Sequence, residues 1–540
     1  MNVDHIALPL ANRLAHDYQQ GMESAVSFFS YQPYQSESYR ERLAWLRGRI
    51  FSHRDKLAEG LYTYNREIGN HEEALKRVEA LKKPDTYVVI GGQQAGVLTG
   101  PLYTINKAIH LIQAAQKLSQ ELQVEVIPVF WIAGEDHDLD EIDHVFWVSE
   151  KERRLHKERI KLTKKGRFSA SDVTLEASDV EALLQAFYEG HPETEHTSQI
   201  RKMLHDTASS SKTPVEWFAR LLAQLFGKHG LVLVESSSAY IRELEKPVFQ
   251  KVIEKNEQIA QLLTDAAKRI EAAGYPLQLQ VEEHQANLFL YEGGERLLLE
   301  RFGERFVNRR CTYSREELLQ LAEDAPQRFS ANVVTRGLMQ EHLFPTLAFI
   351  GGPGEIAYWA YYREIFAALD MQMPIVLPRM SITLLEGALE RLLAGFELDL
   401  AQVLGQEESW KEAKMRTREQ QPLDERFAHV RDALLDLYRP LVEDVVQLDS
   451  GMRGIADKNL SNLLGQVDFL QKRLIRSLQE RDDTDLRRIW RLEANLLPEG
   501  GLQERKISFF SFANKYGLAL VDRLVQAPFT QDGQHQIFHL

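Results

Sequence analysis

Predominantly apolar runs of four to nine residues punctuate the first 380 positions of the chain. Tyr87-Val-Val-Ile90, Val124-Glu-Val-Ile-Pro-Val-Phe-Trp-Ile132, Leu231-Val-Leu-Val234, Thr346-Leu-Ala-Phe-Ile350 and Met373-Pro-Ile-Val-Leu377 are rich in β-branched and aromatic residues. Runs without polar alternation are expected of parallel strands covered on both faces. After the first run and Pro101, apolar residues recur at Leu102, Ile105, Ile109 and Ile112, the spacing of a helix packed by one face on a sheet. Five such strands separated by helices or insertions predict an α/β fold, a doubly wound parallel sheet with its ligand crevice between the first and fourth strands.

Elsewhere the period is helical. Residues from about Asn12 to Lys83 carry apolar positions at helical spacing and stop at Lys82-Lys83-Pro84, which predicts several helices packed on the core. A charged stretch at about 150–226 and a second at about 274–330 read as insertions. In the second, a hairpin is expected to turn at Gly293-Gly294, and Ser314 with Glu317 to form a helix-capping box. Past Glu386 strand signals vanish. Phe427, Val430, Leu434, Leu437 and Leu441 repeat at steps of three and four, as do Leu460, Leu463, Val467, Leu470 and Leu474. This predicts an antiparallel helical hairpin, with Pro440 expected to kink its first arm. The expected organisation is a core at 1–385, a helical coiled-coil domain at 386–497, and a C-terminal segment at 498–540 that packs back on the core.

Composition narrows the partners. A net charge of −14 over 540 residues disfavours non-specific binding to nucleic acid or anionic membrane, so a small-molecule or protein partner is expected and any cationic pocket must be local. The single cysteine, Cys311, excludes an internal disulfide and a cysteine-rich zinc site; it reads as a small buried hydrophobe rather than a nucleophile. With no signal-peptide pattern at the N-terminus and no charge-free segment of membrane-spanning length, a soluble, cytoplasmic protein is expected.

Three segments carry candidate chemistry. After the first strand, Gly91, Gly92, Gly96 and Gly100 lead into a helix, an arrangement that presents free N–H groups and a positive dipole end to an anion. The backbone from Gly92 to Gly100, with Thr99, Tyr103 and Lys107, is the candidate carboxylate or phosphate site, and Gln93 and Gln94 would position polar substrate groups. The pattern is neither the nucleoside-triphosphate loop nor the dinucleotide fingerprint. The competing reading is a tight turn with a structural lysine. After the second strand, Ala133-Gly-Glu-Asp-His-Asp-Leu-Asp-Glu-Ile-Asp-His144 gathers Glu135, Asp136, His137, Asp138 and His144 for acid/base, metal or amine-binding chemistry; the alternative is a solvated acidic cap. A second glycine loop, Gly351-Gly352, with Glu355, Tyr358 and Tyr361 in the following helix, reads as another wall of the same pocket, and Arg379 after the fifth strand could neutralise an acidic group. The loop spacing fits no metal motif, so no metal ligands are assigned.

Gly91-Gly-Gln-Gln-Ala-Gly-Val-Leu-Thr-Gly-Pro-Leu-Tyr-Thr-Ile-Asn-Lys107, Phe130-Trp-Ile-Ala-Gly-Glu-Asp-His-Asp-Leu-Asp-Glu-Ile-Asp-His144 and Ile350-Gly-Gly-Pro-Gly-Glu-Ile-Ala-Tyr-Trp359, with the late Pro-Glu-Gly-Gly-Leu-Gln-Glu-Arg505 run, resemble the cysteine-adding ligase family of bacillithiol biosynthesis over essentially the whole chain. The resemblance implies a Rossmann-like core with connecting-peptide insertions and a coiled coil that forms a homodimer. It also implies a reaction joining cysteine to the amine of glucosaminyl malate. Such an amide bond calls for ATP or another adenine nucleotide and for a base near neutrality, because an ammonium cannot attack. His137, flanked by Asp136 and Asp138, is the first candidate base and His144 the second. The alternative is a nucleotide- or metabolite-binding scaffold whose coiled coil recruits a partner enzyme.

Overall fold

The computed structural model describes residues 2–149, 154–162, 166–405, 410, 421–479 and 483–540. Most of the two basic runs of the first charged stretch, Lys-Glu-Arg-Arg at 151–154 and Lys-Lys-Gly-Arg at 164–167, therefore lies outside the described residues. The chain divides into two compact units, Met1–Leu385 with Gly501–Leu540, and Glu386–Gly500.

The first unit is built on five parallel strands: β1 (Thr86–Gln93), β2 (Glu125–Ile132), β3 (Val232–Glu235), β4 (Thr346–Gly351) and β5 (Ile375–Pro378). Their order is β5-β4-β1-β2-β3. The chain lays β1, β2 and β3 outward in one direction and then crosses to the other side of β1, so the winding reverses between β1 and β4. The connections on the two sides leave a crevice there, beyond the carboxyl ends of the strands. The reason for the unbroken apolar runs is visible in β1, where Tyr87 and Val89 enter one buried cluster while Val88 and Ile90 enter another on the opposite face.

Strand β1 continues further than its sequence suggests, because Gly91 and Gly92 pair with Phe130 and Trp131 of β2. A Cβ on Gly92 would lie 2.3 Å from the Trp131 carbonyl oxygen, so only glycine lets the strand approach that closely. The turn that follows holds Leu98 and Thr99 at φ of 49° and 66° before α1 (Tyr103–Leu122) begins.

Between β3 and β4 an antiparallel five-stranded sheet forms the roof of the crevice. Its central hairpin, Gln285–Glu292 with Glu295–Phe302, turns at Gly293 and Gly294, both at positive φ, and Ser314 and Glu317 make a reciprocal capping box. A third sheet, which hydropathy did not announce, sets His535–His539 between Val3–Ile6 and Ser381–Leu385.

The second unit contains the long helices Gln421–Leu448 and Arg453–Gln479. They pack as a hairpin, with the Tyr438 hydroxyl donating to Asn459 at 2.6 Å and an Arg431–Asp468 ion pair. Pro440 sits inside one continuous helix. Along the predicted seam Phe427, Leu434, Leu460, Leu463, Val467 and Leu474 are half-buried, while Val430, Leu437 and Leu441 are 47%, 76% and 50% exposed, so the hairpin leaves part of its apolar stripe open. Among the described residues no helix is long and apolar enough to cross a membrane.

Candidate active site

A cavity of about 660 Å³ occupies the crevice at the carboxyl ends of β1 and β4, a size that suits small-molecule ligands. Gln93 and Gln94 from the end of β1, and Tyr103 and Lys107 from α1, form one side. Asp136, His137 and Glu141 from the loop after β2 form the second, and Gly352, Glu355 and Tyr358 the third. Phe289 and Arg296 reach down from the roof, Asn332, Arg336 and Gln340 enter from α2 (Val333–Leu343) and its cap, and Arg379 and Arg505 close the mouth.

The glycine loops and Lys107 act together. The fully buried ammonium donates to the Gly92 carbonyl and to Glu355, each at 2.6 Å, and Glu355 also accepts from the Gly352 amide at 2.7 Å. Burial pulls the Lys107 pKa below its usual range while Glu355 works against that shift. Lys107 thus ties β1 to the loop after β4, and its charge is matched inside the wall. Arg379 is matched too, because both its terminal nitrogens donate to Glu504, at 2.9 and 2.7 Å. Burial alone would raise Glu504, but Arg379 prevails and holds the carboxyl at about 2. Arg379 lines the cavity, and this bidentate pair fixes the plane of its guanidinium there.

The acidic loop sorts its side chains by depth. Glu135 is fully buried beneath the cavity, ion-paired to Arg242, accepting from the Ser330 hydroxyl at 2.7 Å and 3.5 Å from Arg336. Burial opposes its charge, yet Arg242, Arg336 and Arg296 bring it down to about 2. Asp136 accepts from Arg336 at 2.7 Å. Nδ1 of His137 lies 2.8 Å from a terminal nitrogen of Arg296. A guanidinium only donates, so Nδ1 must be the acceptor, the ring is neutral and its proton sits on Nε2. Burial first, and Arg296 second, lower the His137 pKa, in keeping with a neutral ring. Arg296 is itself fixed, donating to Ser330 at 2.8 Å and to the Ala331 carbonyl at 2.6 Å with its guanidinium carbon 3.7 Å from the Phe289 ring centre.

Other expected residues fall outside the cavity wall. Gly96, Thr99 and Gly100 belong to a turn packed against the C-terminal segment, where the Leu102 amide donates to the Ile507 carbonyl at 2.9 Å and Pro101 bridges to Ser508. That contact uses an amide at the start of the helix, which corrects the picture of an open anion cradle from Gly92 to Gly100. Gly351 lies within β4, and Asp138 is exposed. His144 opens a strand, pairs across it with Arg159 and bonds Asp143 at 2.9 Å. The Tyr361 hydroxyl accepts from the Gln278 amide at 3.1 Å, away from the cavity. Conversely, Glu141, Arg296, Arg336, Gln340 and Arg505 line the cavity without having been singled out. The signal that was present was local: Arg336 follows the Asn332–Thr335 capping box, and Arg296 is the second residue after the Gly-Gly hairpin turn.

One charged group of the wall remains for a ligand: Arg505 makes no ion pair among the described residues. Tyr358 and Trp359 add aromatic surface to the same wall. No group of three or more metal-binding side chains occurs among the described residues.

A family model described as "Bacillithiol biosynthesis BshC, N-terminal Rossmann-like domain" matches residues 1–380, and "Bacillithiol biosynthesis BshC, C-terminal coiled-coil domain" matches residues 382–540. The chain is similar to proteins named "Putative cysteine ligase BshC" in Geobacillus kaustophilus (39% identical over 545 residues), Geobacillus thermodenitrificans (37% over 545) and Bacillus cereus strain AH187 (36% over 543), with 100% of each chain covered. The second family match extends over Gly501–Leu540, which in this structure folds with the first unit.

Proposed function

This chain belongs to the bacillithiol biosynthesis BshC family, and on that premise we propose that its cavity forms an amide bond between the carboxyl group of cysteine and the amine of glucosaminyl malate. The observation that carries the reading is the opposition of walls in one cavity at the switch point of the sheet. Arg296 and Arg336, with the Nε2–H of His137, offer donors on one side, and Glu141 with Gln94 offers acceptors on another.

In this reading His137 is a hydrogen-bond donor. Held by Arg296, its Nε2–H suits the oxygen of a carboxyl group whose negative charge grows as the carbon is attacked. An adenine nucleotide would supply the phosphoryl or adenylyl group that activates the cysteine carboxyl, and Arg505, Tyr358 and Trp359 are the residues suited to its phosphate and ring. Such a biosynthetic reaction belongs in the cytoplasm. The test is to incubate the purified protein with cysteine, glucosaminyl malate and ATP, and to seek the condensed thiol together with AMP or ADP by mass spectrometry. A complete mixture that yields no thiol product removes the ligase reading.

The exposed seam of the helical hairpin supports a homodimer, the pairing that would cover Val430, Leu437 and Leu441. The Leu437 and Leu470 side chains are exposed in the single chain, 76% and 59%, so replacing both with Glu leaves the protomer folded. The expected result is a monomer by sedimentation against a wild-type dimer. Equal sedimentation of both proteins counts against pairing through this seam.

A further inference from the structure

We propose that Glu141 receives the cationic amine of the acceptor substrate and takes the proton that frees its nitrogen to attack; this deepens the ligase reading and rests on it. Three acidic side chains line the cavity, Asp136, Glu141 and Glu355. Two are already matched, Asp136 by Arg336 at 2.7 Å and Glu355 by Lys107 at 2.6 Å. Glu141 makes no ion pair among the described residues. Its carboxylate accepts from the Gln94 amide at 2.7 Å, which fixes its direction and leaves its other oxygen open. An ammonium ion entering this cavity therefore finds one unmatched carboxylate.

His137 cannot take that part in this geometry. A neutral imidazole has one lone pair in the ring plane, and that of His137 already accepts from Arg296. Arg296 is held on Ser330 and the Ala331 carbonyl and lies over Phe289, so it does not swing aside.

In the step itself Glu141 first takes one proton from the bound ammonium, and the electron pair so freed forms the C–N bond to the cysteine acyl carbon. The bond from that carbon to its leaving group breaks, and the electrons depart with the leaving group. The acyl donor is a mixed anhydride of the acyl-phosphate or acyl-adenylate class, and the second proton shed by nitrogen leaves on the phosphate oxygen of the departing group. The groups facing Glu141 are Asp136 and Asp138 of its own loop and Tyr103 of α1, whose phenol is pushed up to about 12 by burial, with Glu141 adding to the shift. Burial raises the Glu141 pKa, Gln94 works against the shift, and Asp138 and Asp136 add to it. Its carboxylate is thereby a better base near neutrality than an ordinary glutamate.

The experiment compares wild type, Glu141→Gln, Glu141→Asp and His137→Gln. Binding of glucosaminyl malate and of its N-acetyl form is measured by calorimetry, and turnover with cysteine and ATP across pH. Wild type is expected to prefer the free amine and to show an acidic limb in kcat/KM. Glu141→Gln is expected to lose both, to turn over 10²- to 10⁴-fold more slowly, and to melt at the wild-type temperature. Glu141→Asp keeps the preference and the limb at reduced rate, and His137→Gln keeps the limb. Wild-type preference and near-wild-type turnover in Glu141→Gln overturn the assignment. A wild-type protein that neither binds nor converts the amine overturns the ligase reading and this assignment with it.

Discussion

Replacing Glu135 by Gln lowers the stability of the protein by about 3–5 kcal/mol, the cost of removing one partner from a buried ion network, although the side chain does not line the cavity. Its carboxylate is ion-paired to Arg242 and lies close to Arg336, and Arg296 adds to its electrostatic stabilisation. Without it, buried guanidinium groups face one another with Asp136 and Glu245 as their remaining carboxylates. The denaturant midpoint reads the loss. The pH dependence follows with a definite sign. Glu135 and Glu504 both titrate at about 2 in the folded protein against an ordinary value of 4.5. A carboxyl with a depressed folded value contributes fully above its unfolded value and loses that contribution as pH falls through the folded one. Stability should therefore fall between about pH 4.5 and 2, by at most ~3 kcal/mol for each group. In Glu135→Gln the limb keeps only the share of Glu504 and the remaining carboxylates, so its slope becomes shallower. An unchanged slope removes Glu135 from the account of acid unfolding.

Arg296→Met is expected to slow ligation by about 10²- to 10³-fold, the usual effect of losing one fixed donor to a developing oxyanion. The variant loses the bonds to Ser330 and Ala331 and the anchor of His137 together. Burial still lowers the pKa of that ring, but the second-largest cause, the Arg296 charge, is gone. The His137 pKa should rise, and the ring should become free to take its proton on either nitrogen. Imidazole NMR titration reads the pKa and tautomer, and steady-state kinetics the rate. Arg296→Lys keeps a charge without the planar fork and should recover little of the rate. If Arg296→Met keeps both rate and titration, His137 is not oriented by Arg296.

The parallel sheet was legible because its strands are buried on both faces, which leaves apolar runs with little alternation, and because β1 and β4 are followed by glycine loops and β2 by an acidic one at their carboxyl ends. From the second loop the sequence also pointed to Asp136 and His137, both of which line the cavity. What it could not express was pairing across distance. Arg296 meets His137 across 159 positions, and Arg336 meets Asp136 across 200. Each is a single arginine in an unremarkable stretch, and only the closing of the roof over the loop turns them into wall residues. Glu141 was visible as a letter in the acidic loop, but its lack of a cationic partner is a property of the folded neighbourhood. His144 looked like its equal until β pairing with Arg159 carried it into a strand. The strand Val3–Ile6 was silent because it is short and half exposed, and its partner lies more than 500 residues away.

That last pairing sets an order of events on the ribosome. At about 5–20 residues per second, Val3–Ile6 emerges roughly 30–100 s before the strand that pairs with it. Late in that interval Ser381–Leu385 also waits with an open edge, and for parts of it Arg379 and Asn106 wait for Glu504. The helices at Gln421–Leu448 and Arg453–Gln479 need only each other nearby and can close in the meantime. A translation arrest near position 500 would leave strand edges that invite pairing with other chains. It would also leave a bare guanidinium where the finished protein has a cavity wall, a species for chaperones and proteases rather than for catalysis.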